Sequence, residues 1–308
     1  MGLESLILNL YTAGFNIWNT LVEFSVGLFK TDPMTANGSV SYTIYSLWSA
    51  LRCFSVPIAV IFFLIAIIKD TVSAPPEQSA TRLLLDTTKC AALAIVINNL
   101  WTIMQGVCSV TDLITQKIAN GSVIGNSYKL YISNTCIKDN IETVLEQAKP
   151  DDGFITDIIT NGLGQTLMSW LYYIGVNLLF LIAALVTLVI IVAAGISIVN
   201  AAFQRIIKPL AIIPFSSITV AMGAGTPEAS RVTSQYFRSL FGLLLSGSFM
   251  IIAVKIGVTL ISTNDILANI SSTSPMQLAL IYSIKVAVLP LIIAGLVKGA
   301  DSILGRFF

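Results

Sequence analysis

The chain has no histidine in 308 residues, and only 11% of its residues are charged. The first absence removes the commonest metal ligand and the side chain best placed to act as a base near neutral pH. Its four cysteines, Cys53, Cys90, Cys108 and Cys136, form no Cys-x-x-Cys pair, which argues against a metal cluster. No Gly-rich phosphate loop and no Gly-x-Ser-x-Gly elbow occurs, so neither nucleotide hydrolysis nor a serine nucleophile is expected. The expectation is a protein that is not an enzyme, with no catalytic residue, no metal and no cofactor. Any energy it uses comes from a partner ATPase or from the membrane.

The scarcity of charge is informative in its own right. Soluble domains carry about 25% charged residues, whereas this chain is 55% hydrophobic with a mean hydropathy of +0.85. The apolar residues come in blocks rather than in alternation, which favours helices over a barrel. The fold class expected is therefore an all-α integral membrane protein with several spans. The net charge of +1 points to no partner, so the distribution of charge carries the information. The N-terminus, MGLESLILNL, has neither a basic stretch nor a small-residue cleavage site, and is not read as a signal peptide. Leu6 stands where myristoylation wants Ser or Thr.

Residues 1–36 form the first region. Ile7, Leu10, Tyr11, Phe15, Trp18, Leu21, Val22, Leu28 and Phe29 recur at helical spacing, giving an amphipathic helix. Two placements fit it: outside the bilayer, on the membrane surface or a partner subunit, or against the chain's own bundle. Residues 37–110 hold two spans, Leu47–Ile68 and Cys90–Val110, joined by a polar connector. Residues 111–165 form a large polar loop with four lysines against seven acids and one soluble helix, IKDNIETVLEQAK. Residues 166–308 hold the rest. A charge-free run from Ile158 to Gln204 has its apolar heart at Leu167–Phe203, read as one long third span. Two further spans follow at Ser239–Ser262 and Met276–Val297.

Between the third and fourth spans lies Pro209–Gly225, apolar but broken by two prolines and two glycines. Cytoplasmic loops are enriched in Lys and Arg. If the segment does not cross, Lys69, Arg82, Lys89, Arg205, Lys208, Arg231 and Arg238 all fall on one side, and the loop 263–275, free of Lys and Arg, falls on the other. The expectation is five transmembrane helices with the N-terminus outside and the C-terminus inside. Pro209–Gly225 is then a re-entrant or half-inserted element on the cytoplasmic side. The alternative is a short, tilted sixth span.

This layout, together with AAFQRIIKPLAIIPFSSITVAMG and YFRSLFGLLLSGSFMIIAVKIG, resembles the polytopic inner-membrane channel subunit of type IV secretion and conjugation systems, the VirB/TrbL-type family. The resemblance covers most of the chain. It implies a homo-oligomer in a bacterial cytoplasmic membrane, in contact with lipids and with other secretion subunits, a cytoplasmic ATPase among them. It also implies that single-stranded DNA with its relaxase, or a protein effector, passes as a transient substrate. The readings from other classes are a small-solute or ion transporter, which has no inverted repeat here to support it, and a non-conducting assembly scaffold.

Two lysines sit inside spans, Lys255 and Lys285, with no aspartate or glutamate in the span cores to pair with them. An unpaired lysine in hydrocarbon costs about 2.5–3.5 kcal/mol. Each therefore snorkels, meets a partner or lines a wet lumen, where copies in an oligomer would form a positive ring. Asn98, Asn99 and Asn177 are polar in apolar surroundings. Interhelical hydrogen bonding is their ordinary use, and lining the substrate path is the functional reading for Asn98 and Asn99. Cys108 and Cys136 both fall outside in this topology, either as a disulfide or as two free thiols. Pro290 is expected to kink the last span.

Overall fold

A computed structural model describes residues 3–34, 38–73, 76–121, 128–131, 137–149, 163–262 and 275–307. Among these residues every regular element is helical: α1 (Leu3–Phe29), α2 (Gly38–Ser73), α3 (Pro76–Asn120), α4 (Ile137–Ala148), α5 (Leu163–Ile212), a 3-10 turn (Ile213–Phe215), α6 (Ser216–Met222), α7 (Pro227–Ser262) and α8 (Pro275–Phe307). Five helical stretches are long and apolar enough to cross a bilayer: Gly38–Lys69, Leu83–Asn120, Leu163–Met222, Pro227–Leu260 and Ser283–Ala300. The chain is a multi-pass membrane protein of all-α class. Pro290 lies inside α8, which stays helical through it. The loop 263–275 lies almost wholly outside the described residues.

The chain divides into two compact units. The first comprises residues 1–26, 120–201 and 250–298. Here the apolar stripe of α1 is used within the chain: Ile7, Tyr11, Phe15, Trp18 and Val22 are all buried. Gly14 faces Leu188 and Ile191 of α5, and Leu21 lies against Gly195 two turns further on, with 2.6 Å left for a Cβ there. Tyr11 Oη donates to Ser283 Oγ of α8 at 3.0 Å. Of the two placements open to α1, packing against its own chain is the one observed. Asn19 holds the strap 128–131 with both ends of its amide: Nδ2 donates to the Leu130 carbonyl at 2.8 Å, and Oδ1 accepts from the Leu130 N–H at 2.7 Å. Glu23 pairs with Lys129 at 3.0 Å. Its hydrogen bond and charge hold that exposed ammonium above the usual lysine range. The helix expected within the polar loop is α4, with Ile141, Val144, Leu145 and Ala148 buried on one face.

The second unit comprises residues 27–119, 202–249 and 299–308. Its apolar core draws Trp48 from α2, Leu100 and Met104 from α3, Ile213 and Val220 from the proline-containing segment, and Leu244 from α7. The path of Pro209–Gly225 follows α7. The segment is helical in three pieces, and its contacts descend α7 step by step. Arg205 meets Gly247, Tyr236 reaches Ile212, Thr233 reaches Thr219, and Gly225 lies against Ala229. This is an antiparallel hairpin. Positions 229 and 247 are about 27 Å apart on one helix, so the two ends of the segment are separated by nearly the whole thickness of a hydrocarbon core of about 30 Å.

The breaks have a local cause and a local remedy. Pro214 has no N–H to continue the ladder, and the Ser216 N–H turns to Ile213 rather than Ile212. The Ile212 carbonyl, released in this way, accepts from Tyr236 Oη at 3.0 Å. At the far end the Gly223 N–H bonds Val220, which releases the Thr219 carbonyl to accept from Thr233 Oγ1 at 2.6 Å. Non-α backbone at membrane depth has to be satisfied by neighbouring groups, and here two hydroxyls of α7 do it.

Tyr236→Phe removes one of these donors and should cost ~1–2 kcal/mol, while Phe237→Tyr, one position along, should not reproduce the loss. Gly257→Val would drive a side chain into Ile293 and should cost ~1–3 kcal/mol through overpacking. Thermal unfolding of the detergent-purified protein measures both, and an unchanged melting temperature for either variant would contradict the packing described.

Candidate functional site

The second unit holds a buried polar cluster built around Arg205, a residue 1% exposed. α5 delivers it to the place where α1 ends. Its Nη1 donates to the carbonyls of Leu28 at 3.3 Å, of Phe29, and of Thr31 at 3.4 Å. The last carbonyls of a helix have no intrahelical donor and carry the negative end of its dipole, so a guanidinium caps them with both hydrogen bonds and charge. Its planar fork suits several acceptors at once.

Room for the fork comes from α7. A Cβ on Gly247 would fall on the Arg205 guanidinium, so glycine is required there for close approach rather than for an unusual backbone. Two enclosed carboxylates act on it electrostatically. Asp32 is 8% exposed, accepts from the Met34 N–H at 2.8 Å and takes a long 3.5 Å contact from Ser109 Oγ. Asp112 is equally enclosed and accepts from Gln116 Nε2 at 2.6 Å. Arg205, Asp32 and Asp112 lie close enough to act electrostatically on one another and on Cys108. Beside them Thr115 and Ser248 hydroxyls bond at 2.8 Å, joining α3 to α7.

No family model, curated protein or solved structure matches the chain.

The cluster sits at one end of the second unit. The opposite end is marked by the hairpin turn at 223–226, where Lys89 Nζ donates to the Gly225 carbonyl at 3.3 Å and Lys69 pairs with Glu228 at 3.4 Å. Arg205 thus lies about 27 Å along α7 from Lys69 and Lys89. The segment after Arg205 runs the length of the unit.

The residues singled out in the sequence are scattered. Lys255, in the first unit, is 1% exposed and donates to the carbonyl of Gly121, the residue just past α3, at 3.3 Å. Its charge is enclosed in protein and meets a chain carbonyl. Lys285 is buried too. Asn98 is exposed and its Oδ1 accepts from Arg52 Nη2, while Arg52 also lies 5.4 Å from the Trp48 ring. Asn99, also exposed, donates back to the Ile95 carbonyl at 3.0 Å, and the buried Asn177 does the same to Tyr173 at 2.9 Å. Cys108 is a buried free thiol, and Cys136 lies outside the described residues, as does any bridge between them.

Reading the sequence missed Arg205, Asp32, Asp112 and Gly247 as one group. Arg205 stands just past the apolar heart of the third span, and Gly247 stands in a run of small residues. The signal was available only as a pairing of α5 with α7 that residue spacing does not specify.

Arg205→Met leaves the Asp32 and Asp112 carboxylates and the α1 end without their cation and should destabilise by ~3–5 kcal/mol. Arg205→Lys should recover only part of this, since an ammonium cannot reproduce the fork. Gly247→Val should resemble Arg205→Met. Equal stability of wild type and Arg205→Met in thermal unfolding would remove the cluster from the account.

Proposed function

We propose that the chain is a membrane-embedded subunit of a type IV secretion machine of the conjugative kind. In this reading it forms or lines the route by which single-stranded DNA and its relaxase cross the cytoplasmic membrane, as a homo-oligomer alongside other secretion subunits and a partner ATPase. The observation that carries the reading is the third apolar stretch. It is helical in consecutive pieces from Leu163 to Met222, 60 residues, about three times what a single span needs. A helix that only had to anchor a small transporter would stop near 20 residues. An apolar stretch of that length suits a subunit of a multi-component envelope machine.

The orientation proposed puts the N-terminus outside and the hairpin turn at 223–226 inside. Its support is that the connector after α2 and the hairpin turn at 223–226 share one end, joined through Lys69, Lys89 and Glu228. Lysines and arginines at that end mark the cytoplasmic side. Arg205 then lies toward the outer side. Enclosure of Lys255 favours, within the same reading, a contribution to assembly over a lysine ring around the substrate.

Formaldehyde crosslinking in donor cells during mating, followed by pull-down of this protein and amplification of the transferred strand, tests the proposal. Recovery of the strand is expected, and it should depend on the relaxase and on residues 111–165. Efficient transfer by cells lacking this protein would refute it.

A further inference from the structure

We infer that the second unit carries a binding site for an anionic phospholipid, in the groove between α3 and α7 with Arg238 at its rim. The groove has a volume of about 300 Å³ and is lined by Met104, Val107, Phe237, Arg238, Leu240 and Phe241. Met104 and Leu240 form a buried floor, 1% and 2% exposed. Phe237, Val107 and Phe241 make partly exposed walls. Five of the six lining side chains are apolar and the sixth is a permanent cation, which is the chemistry of an acyl chain beside a phosphate.

Arg238 is exposed, and among the described residues no carboxylate pairs with it. It lies on a helix apolar enough to span a bilayer, where an uncompensated arginine is costly and draws in an anion or water. Long side chains on a helix lean toward its N-terminus. For Arg238 that direction is the end marked by Glu228, Lys69 and Lys89, about 15 Å along the axis. The guanidinium is therefore carried toward the level of the headgroups while its stem follows the apolar wall. Arg231, exposed two turns earlier on the same face, adds positive charge on the approach. A guanidinium takes a phosphate through two parallel hydrogen bonds, and Phe237 and Phe241, one turn apart on α7, give the chain a flat surface. A neutral lipid would satisfy the groove but not its rim, and a free phosphate would satisfy the rim but not the groove. This inference requires membrane embedding and does not rest on the role in DNA transfer.

The test uses full-length protein reconstituted into vesicles of equimolar phosphatidylcholine and phosphatidylglycerol, extracted in mild detergent, with bound lipid counted by native mass spectrometry. Wild type should retain phosphatidylglycerol several-fold over phosphatidylcholine. Arg238→Gln should lose that preference, and Val107→Trp, which fills the groove and leaves the arginine, should lose the bound lipid itself. Arg231→Gln should keep most of it. Equal retention of both lipids by wild type, an unchanged preference in Arg238→Gln, or a lipid-free dimer closed over this groove would each overturn the inference. Melting temperatures of the variants within a few degrees of wild type establish that the comparison is between folded proteins.

Discussion

A buried guanidinium fixes the second unit. Arg205 has to be enclosed to cap the end of α1, and enclosing it demands three things at once: a glycine at 247, two carboxylates at 32 and 112, and a helix that arrives from α5 at that depth. Burying a charge is unfavourable unless it is both paired and hydrogen-bonded. The arrangement therefore gains specificity from the cost of any alternative: a register shift between α5 and α7 would leave the guanidinium against a side chain instead of Gly247.

That register carries the proline-containing segment with it. Once Arg205 meets Gly247, the residues that follow run antiparallel to α7, and the carbonyls released at Ile212 and Thr219 fall opposite Tyr236 and Thr233. Prolines and glycines that would break an isolated apolar helix are tolerated because hydroxyls of the neighbouring helix take over the lost hydrogen bonds. The same hairpin brings Gly225 against Phe62 and places Glu228 beside Lys69. In this way the polar end and the basic end of the unit lie a bilayer's thickness apart.

Much of the fold was legible in the sequence. Blocks of uncharged residues gave the five long helices, and the spacing Ile7, Tyr11, Phe15, Trp18, Val22 gave the buried face of α1. The helix at 137–148 matches the soluble helix IKDNIETVLEQAK expected within the polar loop. Pro209–Gly225 was harder, because local signals report breaks and the remedy is supplied by residues some 14–24 positions away. Counting charges on either side assumed that Arg205 faces water at a span end, whereas it is buried. The partner of Lys255 was equally hidden: a lone lysine in an apolar run does not announce the backbone carbonyl at Gly121 that meets it. Composition reports that a charge is costly and does not report which group compensates it.

The most direct test of this account is a distance between the two ends of the segment. Spin labels placed at Lys208→Cys and Thr226→Cys, in a background with the four native cysteines replaced, allow that distance to be measured by pulsed electron resonance in the reconstituted protein. The helical path from 208 to 222, with the turn beyond it, predicts a separation of more than about 20 Å. A distribution centred at less than about half that value would mean that the segment turns back on itself, and the antiparallel hairpin built on Arg205 would be wrong.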